Sequence, residues 1–371
     1  MCKDRIAVVL PPREAFSPLA AGAIGLLAHR LVVQPSAFVP VVYGPEVAAP
    51  FTDVTFRPVR PAWILASQAI RYAAALGRRL RRDPPALVEV HNRPDVALFL
   101  AARLPVPVML VLHNDPQGMR CARTAQERHA LLDRLACVAT VSEFLRARLL
   151  AGVEVPPRGP VVVPNCIDFA VIPPAGPRED LLLFTGRVVA DKGADVFVAA
   201  CARALPHLPG WRAAMIGADR FGPDSPETPF LRDLRPRAAA AGVTLHGYLP
   251  HDAVLAALVR AGIAVMPSRW QEPFGLAALE ALACGAPLLC SMRGGLAEVA
   301  RGAALPVDPD DPAELAGAML ALARDPDRRA ALSAAGRARA AAFDAPLAAS
   351  RLDALRRDVL AAWSPGAPRP I

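Results

Sequence analysis

Short aliphatic and β-branched runs recur along the chain, and between them apolar residues return every three or four positions. RIAVVL, AFVPVVY, ALVEV, VPVMLVL, CVATV and GPVVVP fall in the first half, and DLLLFTG, RAAMIG, VTLHG, IAVMP and APLLC in the second. Near-continuous apolar runs mark strands buried on both faces, and the helix-period segments supply the cover, so parallel sheets clothed by helices are predicted. At 371 residues the chain exceeds what one core usually supports, and two doubly wound, Rossmann-like α/β domains follow. The break is read in PNCIDFAVIPPAGPRED, residues 164–180, where Pro is dense and the periodicity lapses. The expected domains are 1–170 and 171–345, with an amphipathic helix and tail over 346–371.

Composition narrows the classes. Apolar residues make up 54%, much of it Ala, yet no stretch of about 20 residues lacks both charge and Pro, as a membrane-spanning helix requires. MCKDRIAVVL runs directly into a strand without a signal-peptide pattern, so a cytoplasmic protein is expected. The seven cysteines, at 2, 121, 137, 166, 201, 284 and 290, form no CxxC pair, which argues for reduced thiols and against zinc. The net charge of +8 is lopsided: residues 1–175 carry 20 Lys and Arg against 13 Asp and Glu, the remainder 22 against 21. A basic first half implies an anionic partner. The segment 62–83, apolar with Arg71, Arg78, Arg79, Arg81 and Arg82 toward its end, reads either as an interfacial helix on anionic lipid or as a core helix whose last turn complements its own dipole.

The chain has two lysines, Lys3 and Lys192, and three asparagines, Asn92, Asn114 and Asn165. Where composition disfavours a residue type, the survivors mark chemistry. All but Lys3 follow the strand-like runs, at the carboxyl ends where open parallel sheets bind ligands.

In RWQEPFGLAALEALACG, residues 269–285, Pro273 and Gly275 disfavour helix before an excellent helix former, so a helix is expected to begin near Gly275. The first amides, near Gly275, Leu276 and Ala277, then lack carbonyl partners and suit phosphate or sugar oxygens. Glu272 precedes that end and Glu280 follows four residues after Leu276 on the same face, so the two carboxylates bracket one ligand or serve separately as a helix-start anion and a solvated side chain. TGRVVADKGADV, residues 185–196, supplies Arg187 and Lys192, able to neutralise a diphosphate; a surface turn is the alternative.

Arg187, Lys192, EPFGLAALE and RGGLAEV (293–299) resemble the C-terminal domain of retaining glycosyltransferases of the GT-B fold, in glycosyltransferase family 4. VPNCID resembles that family's entry to the second domain, and LVEVHNRPD with LHNDPQ resembles first-domain motifs of its bacterial lipopolysaccharide and cell-envelope members. The resemblance implies two Rossmann-like domains facing across a cleft, with the C-terminal helix returning to the first. It implies that Arg187 and Lys192 bind donor phosphates beside Gly186, that Glu280 binds ribose, and that Glu272 with Phe274, Gly275 and Leu276 binds the donor hexose. His113 would face the transferred sugar, or else be a strand-end His bonded to backbone. His91, Asn92 and Arg93 would line the acceptor site, or cap the loop before Pro94. Gly247, near Tyr248, is the expected location of the base. Ser142 in TVSEFL matches a family motif but reads better as a helix N-cap. Two departures stand out: Cys166 where a Gly is usual, and Ala21-Gly22 where relatives carry a Gly pair near the diphosphate and acceptor.

The expected reaction is transfer of a hexose from a UDP- or GDP-sugar to a saccharide or lipid-linked hydroxyl with retained configuration, without a metal or other cofactor. Neither nucleic acid nor a metal site is expected, and peripheral contact with the inner face of the plasma membrane is. The rival readings are a nucleotide-sugar 2-epimerase-like isomerase and a non-catalytic carbohydrate-binding relative.

Overall fold

The computed structural model describes residues 3–18, 22–154, 159–219 and 227–364, so Cys2, Ala21 and the tail from residue 365 lie outside the described residues. The chain divides into two compact units, Met1–Asn165 with Ala345–Ile371, and Cys166–Asp344. The C-terminal helix Ala345–Ala362 thus belongs to the first unit, where it packs on the helix Ala23–Val32 and its Asp353 accepts from Ser36 Oγ at 2.8 Å.

The first unit is built on β1 (Arg5–Val9), β2 (Val39–Gly44), β3 (Phe56–Pro58), β4 (Leu87–His91), β5 (Val108–Leu112), β6 (Cys137–Thr140) and β7 (Val161–Val162), in the order β3-β2-β1-β4-β5-β6-β7, with every pairing parallel. The second holds β8 (Leu181–Thr185), β9 (Arg212–Ile216), β10 (Val243–Leu245), β11 (Ile263–Met266), β12 (Leu288–Cys290) and β13 (Leu305–Pro306), in the order β10-β9-β8-β11-β12-β13, again parallel. Strand order reverses between β1 and β4 in one sheet and between β8 and β11 in the other. The loops after those four strands therefore open at the crevices where doubly wound sheets take ligands.

The eleven apolar runs all become strands. The two strands that the pattern does not announce, β3 and β13, are edge strands of three and two residues that each contain Pro, which an edge tolerates because one side needs no ladder hydrogen bond. Among the described residues the six cysteines form no disulfide.

The Arg-rich segment resolves into two parts. The helix Gln68–Arg82 turns Tyr72, Ala73, Leu76 and Leu80 into the core, where Tyr72 Oη donates to the Leu10 carbonyl at 3.1 Å. It is a core helix, not one lying on a surface by its apolar face, and Arg79, Arg81 and Arg82 sit in its last turn as the dipole favours. Exposed apolar side chains stand just before it instead: Trp63 at 96%, Ile64 at 44% and Leu65 at 109% of full exposure. Among the described residues no helix is long and apolar enough to cross a membrane.

Candidate active site

In the second unit the β8 and β11 loops are tied together by one carbonyl. Asp191 O accepts from the amides of Arg269 at 2.9 Å and Trp270 at 3.0 Å, and from Ser268 Oγ at 3.3 Å. Gly193 permits this approach: its φ is +70°, and a Cβ there would lie 1.9 Å from the Pro267 carbonyl oxygen. Arg269 fastens the same junction from outside by gripping Asp195 at 2.7 Å and Asp310 at 2.9 Å.

The result is that Lys192 Nζ meets Glu272 Oε1 at 2.5 Å, and Ser268 Oγ donates to the same oxygen at 2.8 Å. Two groups that the sequence assigns to different parts of one ligand thus touch each other. Glu272 is also held through its backbone: its carbonyl accepts from the Gly295 amide at 2.7 Å, and a Cβ on Gly294 would fall 2.4 Å from that oxygen. The glycines of RGGLAEV therefore let a second chain segment lie against the Glu272 loop.

The helix runs Leu276–Ala283 with Gly275 as its N-cap at φ +103°. Phe274 is buried against Phe343 edge to face, with ring centroids 5.7 Å apart, which fixes the entry to the helix. Leu276 opens the first turn, whose amides carry the positive end of the dipole. Glu280, in the next turn, has its Oε1 2.8 Å from His251 Nε2. His251 escapes the sequence reading because it begins its own helix, His251–Arg260, and nothing in HDAVLAAL distinguishes it from a surface residue.

Gly186 follows β8 at φ +139°, and its carbonyl is so close to Gly217 that a Cβ on Gly217 would lie 1.8 Å away. Half-buried Arg187 comes next, and Thr185 Oγ1, buried at the strand end, has no hydrogen-bond partner among the described residues. Gly247, at φ +70°, accepts from the Gly217 amide through its carbonyl at 2.8 Å, with Tyr248 beside it in sequence. The groups expected at phosphate and base thus occupy the carboxyl ends of neighbouring strands β8, β9 and β10.

In the first unit His113, at the end of β5, is 7% exposed and its Nε2 lies 2.8 Å from His91 Nδ1, with the rings stacked at 5.1 Å. His91 Nε2 lies 2.9 Å from Glu89 Oε1, and Glu89 Oε2 accepts from Arg356 Nε at 2.9 Å. Burial alone pulls the His113 imidazole down, and with His91 beside it the value falls to about 3, so the ring is neutral at physiological pH. Burial works to raise the Glu89 carboxyl, but Arg356 and His91 outweigh it and bring it to about 2.

In the HNR segment, His91 is buried between the side chains of Glu89 and His113. Asn92, at φ +56°, uses its Oδ1 to accept from the amides of His113 and Asn114, both at 3.1 Å, which is loop capping between two strand ends. Arg93 is the N-cap residue of the helix Pro94–Ala101, half-buried, with its Nε buried and without a hydrogen-bond partner among the described residues. Ser142 is a cap, its Oγ accepting from the Leu145 amide at 3.1 Å. Gly22 precedes the helix Ala23–Val32, and a Cβ there would strike Glu14 Oε1 at 2.5 Å. Glu14 Oε1 already accepts from the Gly25 amide at 2.8 Å, so this helix start carries the chain's own carboxylate. Burial raises the Glu14 carboxyl above its ordinary range. Cys166 is buried and its backbone is not left-handed, so the usual Gly is not required there.

Sequence reasoning overlooks Glu89 and Arg356. The available signal is Glu89 itself, one carboxylate inside the fully buried strand LVEVH, which demands a buried cation.

A family profile described as Glycosyl transferases group 1 matches residues 171–339, and one described as Glycosyltransferase Family 4 matches residues 30–171. A glycogen synthase of Mycobacterium tuberculosis is 37% identical over 302 residues, covering 74% of this chain and 70% of that one. The chain spans 61% and 52% of the length of two further curated relatives. Among solved structures, sucrose-phosphate synthase from Thermosynechococcus elongatus superposes with a TM-score of 0.79 at 20% identity, over 97% of this chain and all of that one. HepE of Anabaena, in complex with UDP-glucose, gives 0.74 at 15% identity, over 96% of this chain and all of that one. With its two Rossmann-like units and these matches, the chain belongs to the group 1 glycosyl transferases of glycosyltransferase family 4, a family of transferase enzymes with the GT-B fold.

Proposed function

We propose that the chain transfers a hexose from a UDP- or GDP-sugar to a hydroxyl of a saccharide or lipid-linked acceptor, with retention of configuration, in cell-envelope glycan synthesis such as that of lipopolysaccharide. The observation that carries the reading is the Lys192–Glu272 contact at the start of the helix Leu276–Ala283. It sets a cation, a carboxylate and helix amides at one β-strand switch point, which is the chemistry a sugar diphosphate demands. Arg187 and Lys192 take the diphosphate and meet the charge that grows as it leaves, Glu280 takes the ribose, and Glu272 with Phe274, Gly275 and Leu276 takes the hexose. The two cations supply this countercharge without a metal. His113 serves the transferred sugar from the first unit. The UDP-glucose bound by HepE supports a uridine or similar nucleotide as donor.

Exposed Trp63, Ile64 and Leu65 amid the basic first half support a cytoplasmic protein that contacts anionic membrane peripherally through that loop.

The test is thermal stabilisation by a panel of UDP-, GDP-, ADP- and dTDP-sugars, with and without EDTA. A selective, EDTA-insensitive shift is expected, equivalent to about 2.7 kcal/mol at a hundredfold excess over Kd. Conversion of the donor in the absence of any acceptor at rates matching transfer would favour an isomerase, and no turnover with any donor would favour a binding protein.

A further inference from the structure

Two buried serines stand behind Glu272, one after each of the adjacent parallel strands β11 and β12. Ser268 is 3% exposed and Ser291 is wholly buried. Ser291 Oγ donates to the Ser268 carbonyl at 2.7 Å, and Ser268 Oγ donates to Glu272 Oε1 at 2.8 Å. The Ser268 hydroxyl has a second acceptor within reach, the Asp191 carbonyl at 3.3 Å. That carbonyl is already served by the amides of Arg269 and Trp270. A hydroxyl has one proton, and the shorter contact to a charged acceptor takes it.

The main chain of Glu272 is fixed separately, because it bridges to Gly294 and its carbonyl accepts from the Gly295 amide. Rotation of the side chain is the freedom that remains. Lys192 and Ser268 both remove it, and both do so on Oε1. The other oxygen, Oε2, has no hydrogen-bond partner among the described residues, and the side chain keeps 13% of its full exposure. An ammonium is a point charge that sets no orientation by itself, so a carboxylate held by Lys192 alone could pivot about the ion pair. A second donor on the same oxygen, fixed by its own backbone, stops that rotation. Lys192 uses one of its three protons on Oε1 and keeps two for the oxygens of a diphosphate.

We propose that Ser268, seated by Ser291, is a positioning residue that keeps Oε1 of Glu272 for the protein and turns Oε2 toward a hydroxyl of the donor's hexose. The hexose rests on the proposed transferase reading. The role divides the donor in two: Lys192 answers the diphosphate with or without the Ser268 hydroxyl, and only the hexose reads the orientation of the carboxylate.

Calorimetric titration of the full chain with UDP and UDP-glucose, and with GDP and GDP-mannose, compares a diphosphate alone with a diphosphate carrying a hexose. In Ser268→Ala the affinity for the nucleotide sugar is expected to weaken about tenfold, the equivalent of one hydrogen bond to a charged group, while that for the nucleoside diphosphate is unchanged. In a Glu272→Ala background the same substitution should cost nothing further, since no carboxylate is left to turn. Ser291→Ala acts at one remove and should give the same selective loss in smaller measure; it decides the matter where Ser268→Ala does not fold. Equal losses for diphosphate and nucleotide sugar overturn the proposal, as do unchanged nucleotide-sugar affinity in Ser268→Ala and a further loss in the Glu272→Ala background. An unaltered chain that binds neither the diphosphates nor their sugars overturns the transferase reading itself, and this proposal with it.

Discussion

Lys192 and Glu280 make contrasting contacts, and the contrast sets what their removal should do. Glu280 Oε1 lies 2.8 Å from His251 Nε2, and Glu280→Ala would remove the proposed ribose acceptor together with that contact. A hydrogen bond to a charged group is worth roughly 1.5–3 kcal/mol, and donor affinity measured by calorimetry should weaken about 10- to 150-fold. Lys192→Ala should act chiefly on turnover, because the charge it meets grows as the glycosidic bond breaks. Equal, small losses from both changes would count against these roles. Buried His113 and Glu89 give a second prediction. His113 falls from its ordinary 6.5 to about 3 and Glu89 from 4.5 to about 2. Between each pair of values the unfolded chain binds more protons than the folded one, so stability rises with pH and is lost on acidification. Urea midpoints should therefore decline as pH drops through 6.5 toward 3 from His113, and through 4.5 toward 2 from Glu89. His113→Gln should flatten the limb between pH 6.5 and 4.5, reduce the slope between 4.5 and 3, and leave the Glu89 contribution below that. Rarity exposed Lys192 and Asn92 in the sequence, since each holds a defined contact. It could not expose Arg356, one of many arginines, or His251, because neither burial nor a partner 267 or 29 residues away is a local property.

At the scale of elements, the site depends on glycines that let backbone segments touch. Gly193→Ala would drive a Cβ into the Pro267 carbonyl at 1.9 Å, and backbone cannot swing aside as a side chain does. The Asp191 clasp on Arg269 and Trp270 must open, which pulls Lys192 from Glu272. The expected outcome is a lower melting temperature together with a loss of donor-induced stabilisation. Gly247→Ala makes the control: its φ is likewise +70°, but an added Cβ meets nothing within 4 Å. It should cost only the left-handed strain of about 1–2 kcal/mol and keep the donor shift. A Gly193→Ala protein with unaltered donor response would show that the clasp does not set the site. Strand positions were legible because parallel strands covered on both faces must be apolar throughout. The helix start at Gly275 was legible because Pro and Gly punctuate it. The edge strands Phe56–Pro58 and Leu305–Pro306 were not, since an edge imposes so little on so few residues.

For the whole molecule the decisive property is where charge and exposed apolar surface coincide. The basic excess lies in residues 1–175, and the exposed trio Trp63, Ile64 and Leu65 lies within it. Several cations bond to the same stretch of chain: Arg71 Nε to the Ala62 carbonyl at 2.8 Å, Arg120 Nη1 to Ser67 Oγ at 3.4 Å, and Arg13 Nε to Gln68 Oε1 at 3.2 Å. The sequence left two readings of this region open, and the core-helix one holds: the helical periodicity of 68–82 serves the core, and the exposed apolar side chains lie in the preceding loop. An exposed aromatic and aliphatic loop with arginines bonded at both its ends suits the interface of an anionic bilayer, where each basic residue contributes about 1 kcal/mol. Sedimentation with phosphatidylserine vesicles should therefore carry the protein down at low salt and leave it in solution near 1 M salt, where screening shortens to about 3 Å. Reversing one charge by Arg120→Glu removes and opposes such a contribution, about 2 kcal/mol, so binding should weaken roughly 30-fold. Trp63→Ser with Leu65→Ser should weaken it without changing its salt dependence, since these residues contribute area and not charge. Absence of binding even at low salt would confine the basic half to nucleotide or acceptor chemistry and take the membrane out of the protein's function.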